Sequence, residues 1–531
     1  MAFRVLVTGI LCSCVIVTAP GCSADIAVEA SQIAQGSQDG PIITGPEIFL
    51  DEYRVSLLEK WAKMKPASVT GTTVNAKNWT FAIGNPANGL HATIAQSPAL
   101  DTSVTLPHRI LKPDWPLWYE KSIEVADYEW LYIDADDGAQ VFQNGQLLNP
   151  VFGEFFSLLP AEDSSDKAAT ITVRVLNNAM RGGLEEAHLV AGPAFQTYQL
   201  YREQRTAMLR VIYDALRAPA LNTDQKEALE AMLSLPSENS IASAAASFNS
   251  ALRYPYLHEL PTTVDDDGIF SFTAWGDSQA GWETFQKLVD QMAEIPSAFS
   301  IGLGDLVGYG SKEEEWLAFT VALQPLLKTQ PVFPVAGNHD YDGYYNDLVP
   351  QLYYQYTREK ETTASYFSWT YEGAFFLALD PNRNFPLQFE DEQVDWMLAA
   401  MDSEAWREAN WRFILMHQTP FGQGWPGYHG DMFIRELVDS LAAPKEIDFV
   451  LTGHNHDYER LVVDYGGHKT NFFILGGAGG GLEPEESSAF PQMDLVIKAH
   501  HFSRFDIERH RVNVTVIGLD GQVLDKVLIQ K

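Results

Sequence analysis

The chain has 531 residues, of which 46% are hydrophobic and 20% charged; this is enough apolar material for sizeable cores and excludes a disordered or collagen-like polymer. Acidic side chains outnumber basic ones 70 to 36, for a formal charge of −34, and a surface that acidic repels phosphate backbones and counts against a nucleic-acid partner. The three cysteines, Cys12, Cys14 and Cys22, all lie at the start, so the rest of the chain has no disulfide, thiolate metal site or cysteine nucleophile.

The opening MAFRVLVTGILCSCVIVTAPGCSAD sets Arg4 ahead of an apolar run over 5–18 that is short for a bilayer span. Residues 1–22 therefore read as an export signal. Ala19-Pro20-Gly21 before Cys22 resembles a bacterial lipobox, although Leu or Val at 19 and a small residue at 20 would be usual. The resemblance implies lipidation at Cys22 and a lipid anchor to a bacterial membrane, with the protein periplasmic or at the cell surface. Residues 23–45, rich in Ala, Ser, Gln and Gly, read as a flexible tether.

The next unit is expected over 46–195. Residues 46–66 have helical periodicity and stop at a proline. From about 70 to 195, short alternating runs such as YEWLYIDA, AQVFQNGQLL and ATITVRVLNN are separated by Gly, Asn, Asp and Pro, the pattern of an all-β sandwich. These runs resemble the galactose-binding-like jelly-roll modules attached to many glycosidases. That implies carbohydrate contact, whereas a packing domain without a ligand is the plainer reading. Residues 196–264 turn helical, as in LYREQRTAMLRVIYDALRA and TDQKEALEAMLSL, and Asp265, Asp266 and Asp267 mark a boundary.

Over 265–531 strands and helices alternate. IFSFTAW, AFSIGL, PVFPVA, AFFLAL, WRFILM and IDFVLT are separated by helical stretches such as ETFQKLVDQMAEI and DMFIRELVDSLAA. This predicts an α/β domain whose ligands bind beyond the carboxyl ends of its strands. Five of those ends deliver metal donors: Asp277 and Gln279 after FTAW, Asp305 after IGL, Asn338 after PVA, His417 after ILM, and His454 and His456 after VLT. A lone Gly-Asp is uninformative, and Asp and Asn are common in turns. Seven oxygen and imidazole donors together are too many for one tetrahedral ion and suit two ions sharing one bridge. Two dications against two aspartates leave a positive pocket fit for a phosphoryl group.

At these residues the sequence resembles the calcineurin-like metallophosphoesterases, with GDSQ, GDLVGYG, GNHD, MHQTP and GHNH in family order. The string GHNHDYER at 453–460 and FILGGAGG at 473–480 are similar to segments of the purple acid phosphatase branch. The resemblance implies an α/β sandwich of two mixed sheets flanked by helices. It implies one divalent ion on Asp277, Gln279, Asp305 and His456, and a second on Asp305, Asn338, His417 and His454, with Asp305 bridging. Asn338, His339 and His429 would meet substrate, and His339 and His429 would be catalytic. Asp340, Tyr458 and Arg460 would support the ligands from behind.

Two departures bear on the metals, which the family draws from Mn, Fe, Mg and Zn. Gln279 stands where many members have histidine, and its amide oxygen favours Mn, Mg or Fe(II) over Zn. The tyrosine that binds ferric iron in purple acid phosphatases is replaced by Gly308, with Tyr309 one position later. The implied activity is a dimetal phosphomonoesterase acting on a phosphorylated small molecule, with metal-activated water attacking in line. A phosphodiesterase or nucleotide pyrophosphatase on the same site, and a surface glycan-binding protein with no catalysis, are the alternatives.

Overall fold

Two stretches of two-residue alternation, one on each side of a helical middle, each close a core between a pair of sheets. The computed structural model describes residues 48–531 apart from 65–68, 70, 86–91, 113–114, 136–137, 161–167, 178–180, 249–267, 342–349, 358–363, 385–387, 483–487 and 489–492. The expected export signal, Cys22, the tether and Asp265–Asp267 lie outside the described residues.

The first helix is Glu52–Ala62, shorter than its periodicity predicts. Asp51 takes the cap position and accepts the Arg54 N–H at 2.9 Å, which starts the helix there. Ile48, ahead of it, is buried and donates its N–H to Gln324 Oε1 at 3.2 Å. The β region consists of two six-stranded sheets whose pairings are all antiparallel. Alternate residues of Trp115–Glu124 and Ala168–Asn177, among them Leu117, Tyr119, Ile171 and Val173, enter the core with Trp79, Leu131 and Ile133.

Helices Gly192–Arg217, Thr223–Ser234 and Glu238–Ala246 follow, the last two capped by Asn222 and Ser237. They share a core with Trp61 and with Leu317 and Val321 of helix Glu313–Leu327. Arg210 Nε adds bonds of 3.0 Å to both Glu313 oxygens. The amino-terminal half is thus packed on the following α/β domain. Leu111 of the β region also comes to 3.9 Å from where a Cβ on Gly427 would lie.

The α/β domain has four layers. In one sheet the parallel strands Val332–Val335, Phe299–Leu303 and Phe270–Trp275 continue into the antiparallel His501–Glu508, Arg511–Gly518 and Val523–Gln530. The other runs Phe367–Tyr371, Ala374–Ala378, Trp411–Leu415, Phe449–Thr452, Lys469–Leu475, Tyr458–Asp464 and Leu495–Ile497; the second to fifth of these are parallel to one another, and the first is antiparallel to the second. Phenylalanines fill the space between the sheets. Phe272 stacks on Phe505 at 4.7 Å and Phe413 on Phe449 at 4.6 Å, and Phe272 meets Phe413 edge-on. Helices Trp282–Ala293 and Glu313–Leu327 cover one outer face, and Asp391–Met401 and Met432–Leu441 the other. This is the expected metallophosphoesterase sandwich of two mixed sheets flanked by helices, preceded by an all-β region.

Glu154 gives a test of how the β region is seated. Burial pushes its carboxyl up to about 7, against the pull of Lys312 and Arg202, and Oε2 has no hydrogen-bond partner among the described residues. The folded form holds the proton more tightly than the unfolded chain. The associated stability is complete below about pH 4.5 and is lost as pH rises through about 7. Glu154→Gln, which mimics the protonated acid, should raise the urea midpoint at pH 8 and leave it nearly unchanged at pH 4; equal shifts at both pH values would exclude this role.

Candidate metal centre

The first sheet brings Asp277, Asp305 and Asn338 to its strand ends, and the second brings His417, His454 and His456 to the same edge. The turns are strained. Asp277, Asp305 and His454 have φ of 62°, 48° and 74°, a region that costs non-glycine residues about 1–2 kcal/mol each. Cross-links between the loops hold that strain. The Asp277 N–H donates to Gly304 O at 3.0 Å and the Gly453 N–H to His417 O at 3.0 Å. The Asp277 carboxylate accepts the His454 N–H at 2.9 Å. Asp340 accepts from Leu306 and Val307 on one oxygen and from Gly337 on the other, at 2.9, 3.2 and 2.8 Å, so it fastens the Asp305 loop to the Asn338 loop.

Glycines make the approach possible. Gly304 has φ 86°, and a Cβ there would lie 2.5 Å from His417 Nδ1. A Cβ on Gly453 would overlap Asp277 Oδ2.

Backbone carbonyls, which only accept, set the histidine tautomers. His417 Nδ1 donates to Leu303 O at 2.8 Å, His456 Nδ1 to Gly481 O at 2.7 Å, and His339 Nδ1 to Gly308 O at 2.8 Å. Each ring is thereby left with Nε2 facing a carboxylate. His417 Nε2 is 3.0 Å from Asp305 Oδ2 and 3.9 Å from Asp277 Oδ1; His456 Nε2 is 3.4 Å from Asp277 Oδ1; His339 Nε2 is 4.0 Å from Asp305 Oδ2. With Nδ1 so tied, neutral His417 and His456 hold their lone pairs on Nε2, where a divalent cation between ring and carboxylate can take the place of a proton. His454 extends the group, with Nδ1 3.2 Å from His417 Nε2. Its Nε2 is buried without a hydrogen-bond partner among the described residues. Ligand atoms of Asp305, His417 and His454 all lie within 4.8 Å of one another.

The electrostatics fit the same group. Asp277 is 0% and Asp305 1% exposed, and their ion-pair partners among the described residues are histidines. Burial raises the Asp277 carboxyl against His417 and His456. Burial would raise Asp305 too, but His417 and His339 hold it well below the usual carboxylate range. Burial opposes a charged His417, yet Asp305 and Asp277 lift it to about 10; burial and His417 together keep His454 well below the ordinary histidine value. Asp305 is the hub of the site. Its Oδ1 accepts the His339 N–H at 2.9 Å, and its Oδ2 meets His417 and the Gln279 amide nitrogen, the latter at 2.5 Å. A half-turn of the Gln279 amide would present its oxygen there instead, the orientation a cation requires. Two buried carboxylates, lone-pair nitrogens and amides from both sheets suit divalent cations.

Other expected site residues lie further out. His429 Nδ1 is 2.9 Å from Ser488 Oγ, and its carbonyl accepts from Arg435. Two of its loop neighbours reach the centre, since the Trp425 and Tyr428 rings pack on His454 at 4.8 and 5.8 Å. The Tyr458 hydroxyl and Arg460 Nε both bond Asp525, at 2.9 and 2.8 Å, joining the two sheets. Nearby, the Tyr341 hydroxyl donates to Asp380 at 2.6 Å. The Tyr309 ring is half exposed with Lys312 Nζ 3.3 Å from its centroid.

Sequence reasoning missed three buried acids. Glu459 accepts from Gln423, Gly424 and Asn455 at 2.8, 2.8 and 2.7 Å and anchors the loop after His417. Asp431 accepts the Tyr428 hydroxyl at 2.7 Å, and burial raises it to about 7. Glu315 accepts the N–H groups of Gly308 and Tyr309 at 2.7 and 3.1 Å. Only Glu459, inside GHNHDYER, gave a sequence signal.

Residues 270–458 match the family model described as calcineurin-like phosphoesterase. Among curated proteins, purple acid phosphatase 21 of Arabidopsis thaliana is 23% identical over 198 residues, covering 36% of this chain and 44% of that protein. Purple acid phosphatase 18 of the same plant is 25% identical with the same coverage. The chain thus spans less than half the length of these relatives. Among solved structures, purple acid phosphatase PPD1 of yellow lupin (Lupinus luteus) aligns with a TM-score of 0.42 at 12% identity, over 87% of this chain and 74% of that one. The family match lies within the four-layer α/β region and covers about a third of the chain.

Gly453→Ala tests the close approach. The methyl group would displace the Asp277 carboxylate, so Mn(II) uptake measured by calorimetry should fall at least tenfold while far-UV circular dichroism stays unchanged. Undiminished uptake would show that the loops have room to give.

Proposed function

We propose that the chain hydrolyses phosphate monoesters of small molecules at this centre, as a metal-dependent phosphoric ester hydrolase. The observation that carries the reading is the pair of tied histidines: backbone carbonyls on Nδ1 turn Nε2 of His417 and His456 towards two buried aspartates. Asp277, Gln279, Asp305 and His456 would hold one divalent ion, and Asp305, Asn338, His417 and His454 a second. When bound, such ions lower the pKa of water and offset charge on a phosphoryl group.

The chain's own groups supply the rest. His339, part-buried and fixed through Nδ1, keeps Nε2 for substrate. Protonated, it donates to the leaving oxygen as the bond from phosphorus to that oxygen breaks and the bond from water oxygen to phosphorus forms. The proton lost by water balances the one His339 gives, and solvent returns it. Trp425 and Tyr428 cover His454 and exclude bulk water from that side. His429, held by Ser488, is a second substrate-facing histidine in this proposal. Asp340, Tyr458 and Arg460 support the loops and strands that carry the ligands.

The amide at Gln279 favours Mn, Mg or Fe(II) over Zn. It is also the feature that keeps a diesterase or nucleotide pyrophosphatase as the second reading. We propose, from residues 1–22, export with a lipid anchor on Cys22; no helix among the described residues is long and apolar enough to cross a membrane. Carbohydrate contact by the β region is an open proposal for a glycan array.

Three measurements test the centre. Asp305→Asn should strip metal, by elemental analysis, and abolish turnover; full metal content would refute bridging by Asp305. His339→Ala should lower kcat by about 10²–10⁴ with metal retained, and full activity would remove His339 from the reaction. The Mn-loaded wild-type protein should cleave para-nitrophenyl phosphate well ahead of its bis ester, and the reverse order would favour a diesterase.

A further inference from the structure

Beside His339 the rim carries an aromatic ring that the hydrolytic reading does not use. Tyr309 stands between two glycines that are both bonded to His339: Gly308 O accepts its Nδ1–H at 2.8 Å, and the Gly310 N–H donates to its carbonyl at 2.7 Å. Glu315 holds the Gly308 and Tyr309 N–H groups from below, and Trp316 Nε1 donates to Gly310 O at 2.8 Å. The backbone under Tyr309 is therefore fixed relative to His339. Its ring remains 50% exposed, although it belongs to a domain that buries most of its large aromatics.

A cation backs the ring. Lys312 is only 7% exposed, and its ammonium lies 3.3 Å from the Tyr309 centroid. Glu154 of the β region and Glu315 both feel its charge. The ammonium polarises the ring it faces.

We propose that Tyr309, backed by Lys312, is the subsite for the leaving group, taking the flat ring of an aryl or nucleoside phosphate. This rests on the hydrolase reading above. If His339 protonates the leaving oxygen, the substituent on that oxygen lies on the His339 side of the centre, the side to which the 308–310 turn is bonded. That turn carries the half-exposed Tyr309 ring. A flat aromatic group gains by stacking on it, whereas an aliphatic alcohol has less to gain. Tyr309 is then a specificity-determining residue and takes no part in proton transfer.

The test compares kcat/KM for para-nitrophenyl phosphate and glycerol phosphate in the Mn-loaded full chain. Taking the ratio within each protein cancels the different intrinsic reactivities of the two esters. Tyr309→Ala should lower the aromatic-to-aliphatic ratio about three- to tenfold, the worth of one aromatic stack, and Tyr309→Phe should restore it. An unchanged ratio, including an equal fall on both esters, would overturn the subsite and leave the hydrolase reading standing. Wild-type protein that holds metal but cleaves neither ester would overturn the hydrolase reading and the subsite with it.

Discussion

The buried carboxylate of Asp305 is the constraint around which the α/β domain is arranged. It is almost wholly shielded from water, it stays ionised, and it faces His417, His339 and the Gln279 amide. A charge in that position costs several kcal/mol unless partners surround it. Those partners come from both sheets and from loops far apart in sequence, so the charge can be accommodated only when the whole edge of the sandwich is assembled. Site formation and domain folding are coupled through this one group.

The phenylalanine layer makes the assembly rigid enough to serve. Stacks such as Phe272 on Phe505 and Phe413 on Phe449 run within each sheet, and edge contacts such as Phe272 with Phe413 run between them. Together they hold the carboxyl ends of two sets of parallel strands against each other. The His417 bond to Leu303 O, 114 positions away in sequence, fastens the sheets at that edge. The amino-terminal half adds a second brace, since Leu111 lies close to the loop that carries Trp425 and Tyr428. Glu154 likewise acts electrostatically on Lys312 beside the loop that bonds His339.

The strand-end donors were legible because their chemistry is carried by residue type. Asp, Asn and His at the ends of apolar runs announce themselves, and His-x-His does so strongly. The α/β class followed from the alternation of apolar strands with amphipathic helices, whereas the two-sheet sandwich was implied only by the family resemblance. What the sequence did not disclose is geometry set by the backbone. No residue pattern indicates that Leu303, Gly308 and Gly481 carbonyls choose the histidine tautomers. Glu315 and Asp431 look like surface acids until the turns they hold are seen. Tyr458 and Arg460 bond Asp525, 65 and more residues away, from one sheet to the other, a contact that local sequence does not specify.

The strand that delivers Asp277 borders His501–Glu508, and Ser271 donates its hydroxyl to Asp506 across a separation of 235 residues. A nascent chain that had emerged only as far as the GHNH loop would carry every expected metal donor and still lack one of the two neighbours of the Phe270–Trp275 strand. Contacts this distant in sequence fold slowly. Ligand affinity would therefore appear late and all at once in a refolding time course, after the helices have formed and close to the moment the last antiparallel strands dock.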